Sequence, residues 1–95
     1  MIIMHINDNA QANYVLTKLD KLGICWKNGR SCSVCRPPTS DFFLYAGIGE
    51  IYEPDSLLEF ATKYYFHHTD VLSEKAFIIE VVKLHKLSIK KFGGK

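Results

Sequence analysis

The sequence has no long hydrophobic run. None of its segments approaches the ~20 consecutive apolar residues that a helix needs to span a bilayer. Residues 1–11 are apolar at only a few positions, and they lack the basic region and the long apolar region of a secretory signal peptide. These absences predict a cytoplasmic protein that does not enter the membrane.

Cysteine is scarce as well. The chain contains three cysteines, Cys25, Cys32 and Cys35. An odd number argues against the disulfide framework of a small secreted protein, because such frameworks pair their cysteines. The cysteine count therefore favours a reducing compartment, in agreement with a cytoplasmic location.

A recognisable catalytic set is also missing from the sequence. No serine or aspartate stands at a spacing that suggests nucleophilic catalysis together with a histidine. Gly47 and Gly49 lack the third glycine of a dinucleotide-binding loop, and a strand followed directly by a helix is not predicted around them. We therefore expect a binding protein rather than an enzyme, and no cofactor.

What the sequence does contain is typical of one small globular domain. Residues 1–95 include 47% apolar and 23% charged residues, and a chain of this length usually forms a single core. We expect one domain over 1–95, with a long loop over 30–41, which carries two adjacent prolines, and a frayed tail over 92–95.

The first third of the chain predicts a strand, a helix and a second strand. The strand covers residues 2–6, and Asp8 with Gln11 has the spacing of a capping box that opens a helix. Gly23 stands where a glycine often ends a helix. Residues 24–27 then alternate as a short strand, and a turn follows at Asn28-Gly29. The apolar residues of the helix recur at helical spacing: Ala12, Val15, Leu16, Leu19 and Leu22.

The remaining sequence predicts one more strand and two helices. The strand covers the apolar residues 42–48, and Ser56 with Glu59 suggests the start of a helix over 53–66. A second helix is expected over 73–91, because its apolar and basic residues fall on opposite arcs. The predicted fold class is α+β, a three-stranded sheet with helices packed on it, in the order strand, helix, strand, strand, helix, helix.

Cys32 and Cys35 form a C-x-x-C pair with three possible roles. Two thiolates at this spacing can share a zinc ion, but a closed site needs two more ligands and no second pair supplies them. A redox pair needs a thiolate of lowered pKa, commonly at a helix start, and Pro37 and Pro38 follow here instead. Ordinary thiols in a loop are the third reading. Zinc stays open as a cofactor.

Charge is segregated along the chain, with an acidic middle between two basic zones. Residues 24–36 carry Lys27, Arg30 and Arg36 without an acid. The acidic middle suggests a surface that binds a partner protein, because polarised surfaces steer partners and aromatic side chains anchor them. The predicted partner-binding residues are Asp41, Glu50, Tyr52, Glu53, Asp55 and Glu59.

The C-terminal basic zone supports a different hypothesis, nucleic-acid binding. Lysines on one face of the last predicted helix can meet phosphates. The sequence pI of about 8.4 is lower than that of a dedicated nucleic-acid binder, and a solvated helix face explains the lysines equally well. The residues of this hypothesis are Lys83, Lys86, Lys90 and Lys91.

The segment ANYVLTKLDKLGICWKNGR resembles the opening of small, mostly uncharacterised bacteriophage proteins. Those proteins begin with a strand, a helix ending in L-x-x-x-G, and a strand with W-x-x-G. The matching residues are Leu19, Gly23, Trp26 and Gly29, within the first third of the chain. The resemblance implies a phage origin, the host cytoplasm as location, and binding that blocks host proteins, including defence proteins. It carries over no functional residue.

The leading hypothesis is therefore a small non-enzymatic protein that inhibits or redirects a host protein by direct contact, as a monomer or homodimer. Nucleic-acid regulation through the C-terminal helix is the first alternative. A zinc- or thiol-dependent small domain is the second.

Overall fold

The computed structural model describes residues 2–39, 41–47, 56–62 and 71–89. These residues form two helices and a five-stranded mixed sheet. The elements in chain order are β1 (Ile2–Ile6), α1 (Asn9–Lys21), β2 (Cys25–Trp26), β3 (Phe42–Ala46), β4 (Ser56–Ala61), β5 (Val71–Leu72) and α2 (Glu74–Ser88). The class α+β is confirmed, whereas the three-stranded sheet and the predicted element order are wrong.

The first strand and helix form where the sequence predicts them. Asp8 caps α1, since its carboxylate accepts a hydrogen bond from the Gln11 backbone N–H at 2.8 Å. Gln11 turns its side chain to the Asn7 backbone N–H, also at 2.8 Å. Gly23 follows the end of the helix, and its φ of 84° is the left-handed conformation that glycine adopts readily. The Ile24 N–H then returns to the Leu19 carbonyl at 3.0 Å, as in a Schellman ending.

The strand order in the sheet is β2-β4-β3-β1-β5. The three central strands are antiparallel neighbours, and each edge strand runs parallel to the strand beside it. β1 and β2 therefore lie in the same sheet with β3 and β4 between them. Because of this order, β2 and β5 lie at opposite edges of the sheet.

The prediction of a helix over residues 53–66 is wrong for its described part, because Ser56–Ala61 form strand β4. β4 pairs with β3 on one side and with β2 on the other. These ladders satisfy its backbone groups from both sides, and such tertiary pairing outweighs a short helical pattern. The capping signal of Ser56 and Glu59 is thus accidental.

The C-terminal part of the described chain shows one smaller difference from the prediction. Val71–Leu72 form the edge strand β5, which is too short to leave a periodic pattern in the sequence. Helix α2 follows as predicted, capped by the Ser73 hydroxyl, which accepts from the Ala76 N–H at 3.2 Å. α2 ends within the predicted range 73–91, and residues 90–95, with the predicted frayed tail, lie outside the described part.

The core lies between the two helices and one face of the sheet. Met4 and Leu44 are opposite each other in the register of β1 and β3, and both are buried. The buried residues of α1 and α2 join the same hydrophobic cluster, which includes Phe77 and Val81. Within the described residues, no helix has the length and the apolar character needed to cross a membrane.

Candidate functional site

A surface groove of about 610 Å³ lies beside strands β2 and β4. This volume falls in the range of pockets that hold a small ligand or a few side chains. Its wall combines cationic, aromatic and polar groups. The lining residues of this β2–β4 groove are Trp26, Lys27, Asn28, Arg30, Cys35, Arg36, Leu58, Glu59 and Phe60.

One wall of the groove is a tight turn that follows β2. The Trp26 N–H donates to the Arg30 carbonyl at 3.0 Å, and the Gly29 N–H donates to the Trp26 carbonyl at 2.8 Å. Gly29 has a φ of 85°, which favours glycine at this position. The Asn28 side chain accepts from the Arg30 N–H at 2.9 Å. The predicted turn at Asn28-Gly29 is confirmed, and its hydrogen bonds fix the backbone that carries Arg30.

The next segment, residues 31–36, is held against helix α1. The Asp20 carboxylate accepts hydrogen bonds from the hydroxyls of Ser31, at 3.1 Å, and Ser33, at 2.8 Å. The indole N–H of Trp26 donates to the Cys35 carbonyl, and the Cys35 N–H donates to the Ser31 carbonyl at 2.9 Å. Side chains and backbone therefore hold this part of the predicted long loop in one arrangement.

Cys32 lies at the centre of this segment and is fully buried. Its thiol is within hydrogen-bond distance of two carbonyl oxygens, 3.3 Å from that of Leu16 and 3.4 Å from that of Ile24. Burial, together with the nearby Asp20 carboxylate, raises the pKa of the Cys32 thiol to about 12. The side chain thus packs as part of the core and remains a thiol at neutral pH.

The two cysteines of the C-x-x-C pair occupy different environments. Cys32 is buried, whereas Cys35 is exposed at the groove, and no disulfide joins the three described cysteines. Zinc and redox chemistry both need a thiolate, and the raised pKa of Cys32 opposes its formation. Among the described residues, no cluster of three or more His, Cys, Asp or Glu side chains is placed to hold a metal ion. Zinc binding stays a prediction.

Arg36 enters the groove in a fixed orientation. Its Nε donates to the Ser33 carbonyl at 2.8 Å, and its Nη2 donates to the Asn13 side-chain oxygen at 2.7 Å. Both acceptors are neutral, so these bonds orient the guanidinium without neutralising its charge. A guanidinium has five N–H donors, and most of those of Arg36 are still unused by these two bonds.

The apolar floor of the groove consists of aromatic and aliphatic side chains. Phe60 is 40% exposed, and its ring meets that of Trp26 edge to face at a centroid distance of 5.5 Å. On the other side the Phe60 ring contacts that of Phe42, with centroids 6.1 Å apart. Buried partners thus support an aromatic ring whose remaining surface faces solvent.

The groove also contains one carboxylate. Glu59 forms an ion pair with Lys27, with 3.8 Å between Oε1 and Nζ. Glu59 lies opposite Tyr45 in the register of β3 and β4, and burial together with this carboxylate raises the pKa of the Tyr45 hydroxyl. With three cations and one carboxylate in its lining, the groove has a positive net charge.

The predicted acidic surface is described only in part. Asp41 accepts a hydrogen bond of 2.5 Å from His5 Nε2, and the His5 ring stacks on Phe43. Glu59 belongs to the groove and pairs with Lys27. Both described acids therefore have a partner within the chain. The other predicted residues of this surface lie outside the described residues: Glu50, Tyr52, Glu53 and Asp55.

The predicted nucleic-acid surface is also described in part. Lys83 and Lys86 are exposed on α2, and Lys83 Nζ lies 3.5 Å from the Glu80 carboxylate. Lys90 and Lys91 lie outside the described residues. Because α2 contacts β1 and β5, Lys83 and Lys86 lie on the half of the sheet away from the groove.

Sequence reasoning identified the basic residues of the groove but not the groove itself. The cluster of Lys27, Arg30 and Arg36 without an acid was a visible signal. Phe60 left no such signal, because residues 56–61 were predicted as a helix. Only the pairing of β4 with β2 brings Phe60 to Trp26.

Comparison of the chain with protein-family models, with curated proteins and with solved structures finds no match. The resemblance to small phage proteins therefore stays a prediction that rests on the quoted residues.

Proposed function

We propose that this chain is a small non-enzymatic binding protein that acts by contact with a partner protein, and that the β2–β4 groove is the contact surface. The observation that carries the proposal is the groove itself, which combines the oriented cation Arg36 with the exposed ring of Phe60. Arginine and aromatic side chains contribute most of the binding energy at many protein interfaces.

The chemistry of the groove supports binding rather than catalysis. Its most prominent charged groups are guanidiniums, which stay protonated throughout the physiological pH range and so do not transfer protons. Its carboxylate, Glu59, is engaged by Lys27. Cation, aromatic ring and aliphatic floor are the components of a recognition surface.

The groove is a better supported contact surface than the acidic middle of the sequence. Asp41 and Glu59 have partners within the chain, so a partner protein would compete with these contacts. The resemblance to small phage proteins implies that the partner is a host protein, which the chain inhibits or redirects.

A comparative capture experiment tests this proposal. The tagged protein is incubated with nuclease-treated bacterial lysate, in parallel with Arg30→Glu in the groove and Lys83→Glu on α2. The Arg30 guanidinium makes no hydrogen bond or ion pair with the rest of the described chain. Replacing this positive charge by a negative one should therefore leave folding intact. We expect the wild type and Lys83→Glu to retain the same partner protein and Arg30→Glu to lose it.

The same experiment separates the alternatives. Retention of nucleic acid in untreated lysate, lost with Lys83→Glu and kept with Arg30→Glu, would favour a nucleic-acid-binding regulator that uses α2. Partner retention that survives Arg30→Glu but is lost in a variant with serine at both Cys32 and Cys35, shown by circular dichroism to be folded, would favour the thiol- or zinc-dependent alternative. Either result would contradict the groove as contact surface.

A further inference from the structure

We infer that the β2–β4 groove binds an acidic peptide segment that also carries an aromatic side chain. This inference rests on the proposed function and specifies the chemistry of the partner. Carboxylates of the peptide would bind Arg30 and Arg36, and its aromatic ring would lie on Phe60.

The fixed position of Arg36 favours a carboxylate ligand. A carboxylate binds a guanidinium through two parallel hydrogen bonds, which require a defined orientation of the arginine. The bonds from Arg36 to Ser33 and Asn13 supply that orientation before the ligand arrives. Less side-chain entropy is then lost on binding, because the cation is already ordered.

Arg30 adds a second cation of a different kind. Its backbone is fixed in the turn by the bonds to Trp26 and Asn28, and its side chain is exposed. Within the described chain its guanidinium has no ion-pair partner, so an incoming carboxylate need not displace one. One ordered and one adaptable cation suit a segment with more than one acidic residue.

The exposed ring of Phe60 favours a ligand that carries an apolar group next to its carboxylates. Trp26 and Phe42 hold the Phe60 ring in place. Aromatic rings stack with an offset or meet edge to face, and such pairs are favourable beyond the area they bury. An aromatic residue in the acidic segment would use this surface, whereas a purely acidic segment would leave it in water.

A polyphosphate backbone fits the groove less well. The Glu59 carboxylate, paired with Lys27 in the lining, repels phosphates and carboxylates alike and so limits how many anionic groups the groove can hold. The exposed lysines of α2, Lys83 and Lys86, lie towards the opposite edge of the sheet and so do not extend the groove. Nucleic acid gains most of its affinity from many phosphate contacts, and the groove offers few.

The sole tryptophan, Trp26, lines the groove and gives a direct readout. The probe is the blocked pentapeptide Glu-Glu-Phe-Glu-Glu, titrated into the purified full chain while tryptophan emission is recorded. Three controls are Gln-Gln-Phe-Gln-Gln, Glu-Glu-Ala-Glu-Glu and an oligothymidylate of roughly ten nucleotides. We expect saturable binding of the first peptide, and affinities weaker by about tenfold or more for both control peptides.

Protein variants assign the effect to the groove. Arg36→Lys keeps the charge but loses the planar fork, so we expect the peptide to bind about tenfold more weakly. Arg30→Gln should weaken binding as well, and Lys86→Gln on α2 should leave it unchanged. Circular dichroism of each variant checks that it is folded.

Three results would overturn the inference. Equal binding of the glutamate and glutamine peptides would show that carboxylates are not recognised. Tighter binding of the oligothymidylate, with a steep loss on added salt, would assign the groove to nucleic acid. If Arg30→Glu loses the captured partner protein and no peptide binds, the proposed function stands and this inference fails.

Discussion

At the scale of single residues, Cys32 shows how one side chain holds the loop beside the groove. It is buried between α1 and β2, where its thiol lies close to the carbonyls of Leu16 and Ile24. Cys35, three positions later, is exposed. Replacing these two cysteines should therefore change the free energy of unfolding by different amounts.

Replacing Cys32 should destabilise the fold, and replacing Cys35 should not. We expect Cys32→Ala to lower the free energy of unfolding by about 1–2 kcal/mol, because it leaves a small cavity and removes two polar contacts. Cys35→Ala should change it by less than about 0.5 kcal/mol, as at most exposed positions. Urea unfolding measures both. Equal effects of the two substitutions would contradict the assigned burial.

The pKa of Cys32 gives a dependence of stability on pH. In the folded protein the pKa of the Cys32 thiol is about 12, whereas the ordinary pKa of a cysteine thiol is 9.0. The folded state thus binds this proton more tightly, so its contribution is complete below pH 9 and is lost as the pH rises towards 12. Unfolding free energies of the wild type and Cys32→Ser should converge over this window. A pH-independent difference would refute the shift.

Residue-level signals in the sequence predicted the ends of helix α1 but not the role of Cys32. The Asp8 cap and Gly23 act through neighbours in sequence, so their spacing is visible. The contacts of Cys32 with Leu16 and Ile24 depend on how the loop folds back on the helix. Nothing in the C-x-x-C spacing distinguishes a buried thiol from an exposed one.

At the scale of elements, a carboxylate of α1 holds the loop after β2 in place through hydrogen bonds. Asp20 accepts hydrogen bonds from Ser31 and Ser33. We expect Asp20→Ala to lower the free energy of unfolding by about 1–3 kcal/mol and to speed the reaction of Cys32 with a thiol reagent. The neighbouring Lys21→Ala is the matched control and should do neither. Unchanged labelling in Asp20→Ala would show that other contacts hold the loop.

Strand β4 explains why the sheet was predicted with too few strands. Residues 56–61 contain two leucines, a glutamate and a phenylalanine, a run that suits a helix face as well as a strand. The outcome is decided by β2 and β3, which flank β4 on both sides. β3 directly precedes β4 in chain order, but β2 lies much earlier in the chain, so the local pattern of residues 56–61 carried no information about the pairing with both strands. The sequence did predict α2, whose helical spacing extends over several turns, and β1, whose apolar residues 2–6 precede the capping residue Asp8.

At the scale of the whole molecule, the strand order separates two basic surfaces. The groove lies beside β2 and β4, and the α2 lysines lie on the half of the sheet that contains β1 and β5. The order of charged residues in the sequence showed both basic zones, but not that they lie on different halves of the sheet in the folded protein. A ligand that binds in the groove should therefore leave α2 unaffected.

Chemical-shift mapping of the isotope-labelled protein with the Glu-Glu-Phe-Glu-Glu peptide tests the central claim most directly. The indole N–H of Trp26, which donates to the Cys35 carbonyl, gives a single identifiable resonance. We expect saturable shifts at this indole and at the backbone amides of Arg30, Arg36 and Phe60, with none at Lys83. Shifts confined to α2, or no shifts in the groove, would contradict the account.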